Sequence, residues 1–255
     1  MWSTTLPFLL TLVSTSWAED AQSIMKSIEE QQRWTVATQT LSLTIQKGAS
    51  TKEKQYTMQT QMRREADALY CHARFTNPKN VLNTQIVWID RTAGTDDMWL
   101  YLPALKRVTT LNDKNRSRAF MGSDFEFNDF LLMNLSQEHV LLTDNPATWV
   151  IQSTPTNSEQ TPYTKWVSTI DKKTHAPTEV QFFTNEIKVK ELKILSVNEE
   201  GVPTKSRMTN LSTGSTTLLE VHTLDTESEI PLSHFTKEHL ISASSDSSDS
   251  SRMEQ

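Results

Sequence analysis

Ala37, Leu41, Leu43 and Ile45 fall on one parity, while Thr38, Thr40, Ser42 and Thr44 fall on the other. Side chains of an extended chain point alternately to its two faces, so this period of two predicts a strand buried on one side. The same alternation returns at 56–62, 69–75, 84–90, 98–102, 107–111, 148–153, 164–171, 178–184, 189–197, 205–210 and 218–224. Spacing this regular predicts a mostly antiparallel meander. Gly48, Gly94, Gly201 and Gly214 lie between predicted strands, where hairpin turns ask for positive φ; Gly122 does not.

A period near 3.6 is rarer. Ala21, Ile24, Met25 and Ile28 recur at helical spacing behind Asp20, a candidate N-cap, and predict one amphipathic helix. Ser123-x-x-Glu126 has capping-box form and Asp124 adds negative charge at the same end, which predicts a second helix over 125–135. A short third helix is expected after Pro231. The stretch "DDMWLYLPALKRVTTL" reads as a hairpin whose first strand is apolar on both faces. In a wrapped sheet such a strand is covered by a helix on one side and by the opposing wall or a bound apolar molecule on the other.

The ends of the chain differ from this pattern. "LPFLLTLV" is too short to span a bilayer, which takes about 20 apolar residues, and Ser16 and Ala18 fit a small-x-small cleavage site before Glu19. A signal peptide over 1–18 is expected, although no Lys or Arg precedes the apolar run; the other reading is a buried N-terminal helix. One β domain then occupies 19–240, and the Ser- and Asp-rich 241–255 is expected to be a disordered tail. Cys71 has no partner for an internal disulfide, so stability must come from the core.

Charge and chemistry narrow the function. With 25 Lys plus Arg against 31 Asp plus Glu, the chain lacks the clustered excess of basic charge that nucleic-acid binding needs. The six histidines, at 72, 139, 175, 222, 234 and 239, show no metal-binding spacing, and the glycines form no phosphate loop. Neither metal nor cofactor is therefore expected. Ser123, between Gly122 and Asp124, is the best nucleophile candidate for a hydrolase, but it lacks the G-x-S-x-G elbow and helix capping accounts for it more simply. Sequons at Asn115, Asn134 and Asn210 matter only where a host glycosylates.

"WLYLPALKRV" followed by "FMGSDFEFNDF" resembles the signature of the LolA-like outer membrane lipoprotein-sorting family, W-x-Y-x-P-x-x-[KR]-R and then F-x-G-[ST]-D-[FL]-x-[YF]-x-D-[LF]. "FTNPKNVLNTQIVWID", "YTKWVSTID" through "PTEVQFF", and "IPLSHFTKEHL" are similar to other family segments, so the likeness spans nearly all of 19–240. Phe127 and Asn128 depart from the commoner Tyr and acid.

This resemblance implies a mainly β fold, an incomplete, strongly curved antiparallel β-barrel with helices closing the open side over an apolar cavity. It implies a periplasmic, non-catalytic carrier of a lipid, lipoprotein acyl chain or similar amphiphile, expected to be a monomer. A resistance-nodulation-division (RND) transporter is a plausible partner. Trp88, Trp99, Leu100, Leu102, Phe120, Phe125, Phe127, Phe130 and Trp149 are the expected cavity residues, with Gly122, Ser123 and Asp124 as turn and helix cap. Lys106, Arg107, Lys114, Arg116 and Arg118 place five positive charges within thirteen positions. They form either a solvated face or a patch for phosphate headgroups or an acidic partner. A serine-dependent lipid hydrolase and a non-binding accessory subunit of an envelope transporter remain the alternatives.

Overall fold

The computed structural model describes residues 20–31, 34–111, 118–130, 137–158 and 161–240. The expected signal peptide, the tail, Lys114, Arg116, two sequons and residues 131–135 of the expected second helix lie outside the described residues.

Thirteen strands follow one helix, α1, at Ala21–Gln31. They are Val36–Gln46 (β1), Glu53–Arg64 (β2), Ala68–Asn77 (β3), Gln85–Arg91 (β4), Asp97–Leu102 (β5) and Arg107–Thr110 (β6), then Gln137–Asp144 (β7) and Thr148–Pro155 (β8), with Lys165–Asp171 (β9), Pro177–Thr184 (β10), Ile187–Val197 (β11), Pro203–Asn210 (β12) and Ser215–Asp225 (β13). All belong to one sheet in the order β6-β5-β4-β3-β2-β1-β13-β12-β11-β10-β9-β8-β7, with every neighbouring pair antiparallel. Two successive meanders are joined by pairing β1 with β13, and the sheet stays open at β6 and β7. β7 was not among the expected strands. Its "VLL" breaks the alternation, and as an edge strand it leaves Val140 and Leu142 exposed.

Register sets apolar side chains beside one another on the inner face: Trp88 beside Cys71, Phe75 beside Met58, Met58 beside Leu41, and Val180 beside Leu192, which pairs with Met208. These form a single buried cluster together with Phe120, Phe125 and Phe127 from the connection between β6 and β7. Phe127 meets the Trp88 ring of β4 at 6.3 Å, while Glu126 bonds Lys190 of β11 at 2.7 Å. In a flat sheet those two strands, six places apart, would stand roughly 29 Å from one another. Contact with one short segment therefore requires strong curvature around it.

α1 lies on the same inner face at the β7 end, where Ala21, Ile24, Met25 and Ile28 pack on Trp149, Ile151 and Ile170. Asp20 caps it as expected, accepting from the Ser23 N–H at 2.7 Å. The outer face is covered locally by the C-terminal segment, whose 3-10 turn Leu232–Phe235 places Ile230, Phe235 and Leu240 on Val87 and Tyr101.

Gly201 ties two hairpin ends together. Its φ is +80° and a Cβ there would stand 2.6 Å from the Thr174 carbonyl oxygen. Gly201→Ala should therefore lower the unfolding free energy by about 1–3 kcal/mol in urea titration. Gly94→Ala, also at positive φ but with nothing within 4 Å of the added carbon, should cost less. Equal losses would mean that the contact with Thr174 contributes nothing.

Candidate functional site

Residues 118–130 fill the curve of the sheet without forming a regular element. Ala119 bridges Glu126, and the Phe120 N–H donates to the Phe125 carbonyl at 2.7 Å, closing a tight loop. Met121 at φ 52° and Gly122 at φ 73° make its turn in left-handed backbone. The loop holds its aromatic side chains together on the sheet side. Phe120 stacks on Phe75 at 6.0 Å and meets the Phe127 edge at 5.1 Å, while Phe125 stacks on Phe130 at 5.4 Å.

Polar contacts fix this apolar loop in place. Asp124 is buried; its carboxylate accepts from the hydroxyls of Ser215 and, at 2.7 Å, Thr217, and its own N–H donates to Thr217 Oγ1 at 2.9 Å. Further along, Lys190 Nζ meets Glu126 at 2.7 Å and Asp129 at 3.5 Å, and the Tyr163 hydroxyl donates to Asp129 at 2.7 Å. Burial pushes the Glu126 and Asp129 carboxyls above their ordinary range, against the pull of Lys190. It also pushes the Tyr163 phenol up, and the carboxylates add to this, so Tyr163 stays a donor.

The expected helix cap is corrected by this geometry. Ser123 Oγ accepts from the Phe125 N–H at 3.2 Å and contacts the Phe125 carbonyl at 3.3 Å, holding a local turn. Asp124 is drawn away to β13, and Asp129 reaches back to the Glu126 N–H at 2.7 Å, which moves the capping contact three residues along. It opens a 3-10 turn at Phe127–Phe130.

Among the expected cavity residues, Trp88, Phe120, Phe125 and Phe127 are buried in the inner cluster, Leu100 packs against it, Leu102 is half-buried, and Phe130 is 38 % exposed. Trp99 has the opposite parity and packs on the outer face beside Tyr101, so it is not an inner-face residue. Trp149 faces inward but lies in the α1 cluster. Neither aromatic shares the Trp88 cluster because strand parity and distance along the sheet separate them. Lys106, Arg107 and Arg118 are exposed, Lys106 closing the 3-10 turn Pro103–Leu105 in a left-handed conformation. The signals missed in the sequence are Lys190, Tyr163, Ser215 and Thr217. Lys190 shares parity with Leu192 and Ile194, so a charge was already due on an apolar face.

Two cavities stand out; polar residues border both, but the first turns mostly the carbon parts of its side chains to the space. One, of about 270 Å³, lies outside the sheet between β1–β4 and the C-terminal segment; the other, of about 230 Å³, is lined by Trp34, Asn198, Glu200 and Leu224, among others. Among the described residues no group of three or more His, Cys, Asp or Glu is placed to hold a metal ion, and no helix is long and apolar enough to cross a membrane.

Lys190→Met should lower stability by about 3–5 kcal/mol at pH 8, since it leaves two carboxylates without their cation. The folded pKa of each acid is already above its ordinary 3.8 or 4.5, and it climbs further in the variant. The folded state then holds protons that the unfolded state has released, so the variant should regain stability as pH falls toward 5. Denaturant titrations at pH 8 and 5 check this. A loss that is the same at both would exclude buried carboxylates as its cause.

Comparison with known proteins agrees with this geometry. A protein domain of outer membrane lipoprotein-sorting type from Vibrio parahaemolyticus superposes with a TM-score of 0.76 at 25% identity, covering 87% of this chain and 98% of the other. A DUF1329 family protein from Desulfovibrio piger gives 0.78 at 18% identity over 88% and 100%, and a LolA superfamily protein from Nitrosomonas europaea gives 0.68 at 17% over 87% and 100%. Among curated proteins no sequence matches the chain. A family model described as "-like: Uncharacterized protein" matches residues 70–242, which contain both the hairpin and the inner loop. On this match, the signature residues and the shared open sheet, the chain belongs to the LolA-like outer membrane lipoprotein-sorting family.

Proposed function

We propose that the chain is a non-catalytic periplasmic carrier that takes a lipid, a lipoprotein acyl chain or a similar amphiphile against the inner face of its sheet and passes it toward the outer membrane, with an RND-superfamily transporter as partner. The observation that carries this reading is the nature of what covers the inner face. Phe120, Phe125, Phe127 and Phe130 come from an irregular loop held mainly through Asp124, Glu126 and Asp129. An acyl chain that displaced these rings would exchange one apolar contact for another, so burial of apolar area changes little and the polar contacts set the threshold. Trp88, Leu100 and Leu102 would then line the ligand, with Trp99 and Trp149 supporting the wall. Beside Phe127 the buried Trp88 N–H has no hydrogen-bond acceptor among the described residues, which suits an ester or amide carbonyl on the ligand.

Ser123 supports a hydrolase poorly, since its buried hydroxyl is bonded to the Phe125 backbone rather than to a base. The packed interior favours one other reading, an accessory subunit of an envelope transporter that binds no ligand.

Organic extraction of protein purified from its native envelope, followed by mass spectrometry, should release an amphiphile in roughly one-to-one amount. A protein that is empty and also takes up no fluorescent fatty acid would overturn the carrier reading in favour of the accessory subunit.

The basic residues at the loop entrance are proposed to act on partners. Reversing Lys106, Arg107, Arg116 and Arg118 to acids should leave the fold intact, because exposed charges such as those of Lys106, Arg107 and Arg118 contribute only about 0–1 kcal/mol each. Flotation with anionic vesicles and pull-down with a transporter's periplasmic domain should both weaken. Wild-type binding should fall with salt, as screening acts over about 10 Å at 0.1 M. Binding that resists both reversal and 0.5 M salt would return the patch to a solvated face.

A further inference from the structure

Two buried polar groups on the inner face, the Trp88 indole N–H and the Thr60 hydroxyl, have no hydrogen-bond partner among the described residues. Trp88 is 7 % exposed and Thr60 9 %. A polar group left unpaired in the interior loses its hydration and gains nothing in return, so each calls for a physical reason.

Register sets their positions. Thr60 lies between Met58 and Met62 on β2, both of which pack into the inner cluster, so its side chain shares their face. On β3, Cys71 stands between Trp88 of β4 and Met62 of β2, while Ala73 stands between Ile86 and Thr60. Two small side chains flanked by larger ones make the floor of a short trough. Its walls, β2 and β4, are about 10 Å apart at roughly 4.8 Å per strand spacing. One unpaired polar group comes from each wall. Trp88 is the middle residue of β4, so the trough lies midway along that strand.

Neither group is satisfied by its surroundings. Opposite Thr60 on β1 is the half-buried Gln39, which leaves the hydroxyl unbonded. Over Trp88 stands the Phe127 ring at 6.3 Å, which carries no acceptor atom. An indole N–H only donates, whereas a hydroxyl donates or accepts. A ligand that meets both needs an acceptor oxygen buried among apolar parts. A plain hydrocarbon offers none. A free fatty acid would bring its carboxylate in as an unpaired charge, because none of the trough residues is cationic. An ester or amide is neutral, carries a carbonyl oxygen and continues into an acyl chain.

We propose that this trough holds the ester or amide linkage of an acylated ligand, its carbonyl oxygen accepting from Trp88 Nε1–H and a further oxygen or nitrogen of the ligand meeting the Thr60 hydroxyl. The inference rests on the carrier reading and deepens it: the cargo is an acyl ester or acyl amide, not a free fatty acid. Its linkage sits over Cys71 and Ala73, and its chain takes the place of the Phe120 and Phe127 rings.

The test uses the full mature protein and radiolabelled probes of equal chain length in equilibrium dialysis: monopalmitoyl glycerol, its ether counterpart hexadecyl glycerol, which lacks the carbonyl, and palmitate. The ester should bind about tenfold more tightly than the ether, as one added hydrogen bond to a buried donor gives. Trp88→Phe keeps an aromatic ring without the donor, and Thr60→Val keeps the shape without the hydroxyl. Each should bring the ester down toward the ether. The indole N–H NMR signal that is missing from Trp88→Phe should move further downfield with the ester than with the ether. Without ligand, Thr60→Val should melt no lower than wild type; a lower melting temperature would mean that the hydroxyl is satisfied within the fold, and would remove it from the site. Equal binding of ester and ether, a preference that survives Trp88→Phe, or palmitate bound more tightly than the ester would each overturn the proposal and leave the carrier reading standing. A protein that binds none of the three probes would overturn both.

Discussion

Thirteen strands in one antiparallel sheet create an apolar inner face that no single helix among the described residues covers. That mismatch organises the rest of the molecule. α1 serves only the end built from β7, β8 and β9, and curvature brings the remaining strands around one loop small enough to touch β4 and β11 at once. Unlike a helix, the loop has no ladder of internal hydrogen bonds to hold it, so its position depends on side chains reaching to the walls. Asp124 joins it to β13, and Glu126 and Asp129 join it to β11.

Such a cover differs from an ordinary core. Fixed cores are closed by regular elements whose backbone groups are satisfied among themselves. Here a few buried ionic and hydroxyl contacts decide whether the aromatic side chains stay in. Buried ion pairs are poor sources of net stability but strict determinants of arrangement when one partner is lost. The same contacts that seat the loop therefore make it sensitive to changes in charge and hydration.

Most of the sheet was legible because alternation is a local property: Leu41 and Leu43, or Trp166 and Ile170, declare their face within a few residues. β7 was not, since an edge strand need satisfy only one neighbour and tolerates the unbroken "VLL". The inner loop was recognised by its signature, yet its chemistry was misassigned. Ser123-x-x-Glu126 offered a plausible cap, while the partner that draws Asp124 away lies 93 residues on, at Thr217. Lys190 and Glu126 are 64 residues apart, and nothing local marks them as a pair. The histidines were scattered along the chain for the same reason; only the folding of the C-terminal segment over β3 brings His234 and His239 to His72. Trp99 and Leu100 show the reverse case, in which neighbours in sequence are assigned to opposite faces by parity alone.

Cys71 sits in the inner cluster beside Trp88, 1 % exposed, with burial pushing its thiol well above the ordinary range. A thiol in that state is neither ionised nor reachable, so electrophiles in solution react with it only while the interior is open. Being the one cysteine of the chain, it turns the rate of alkylation into a clock for the opening of the half-barrel, readable by mass without any engineered label.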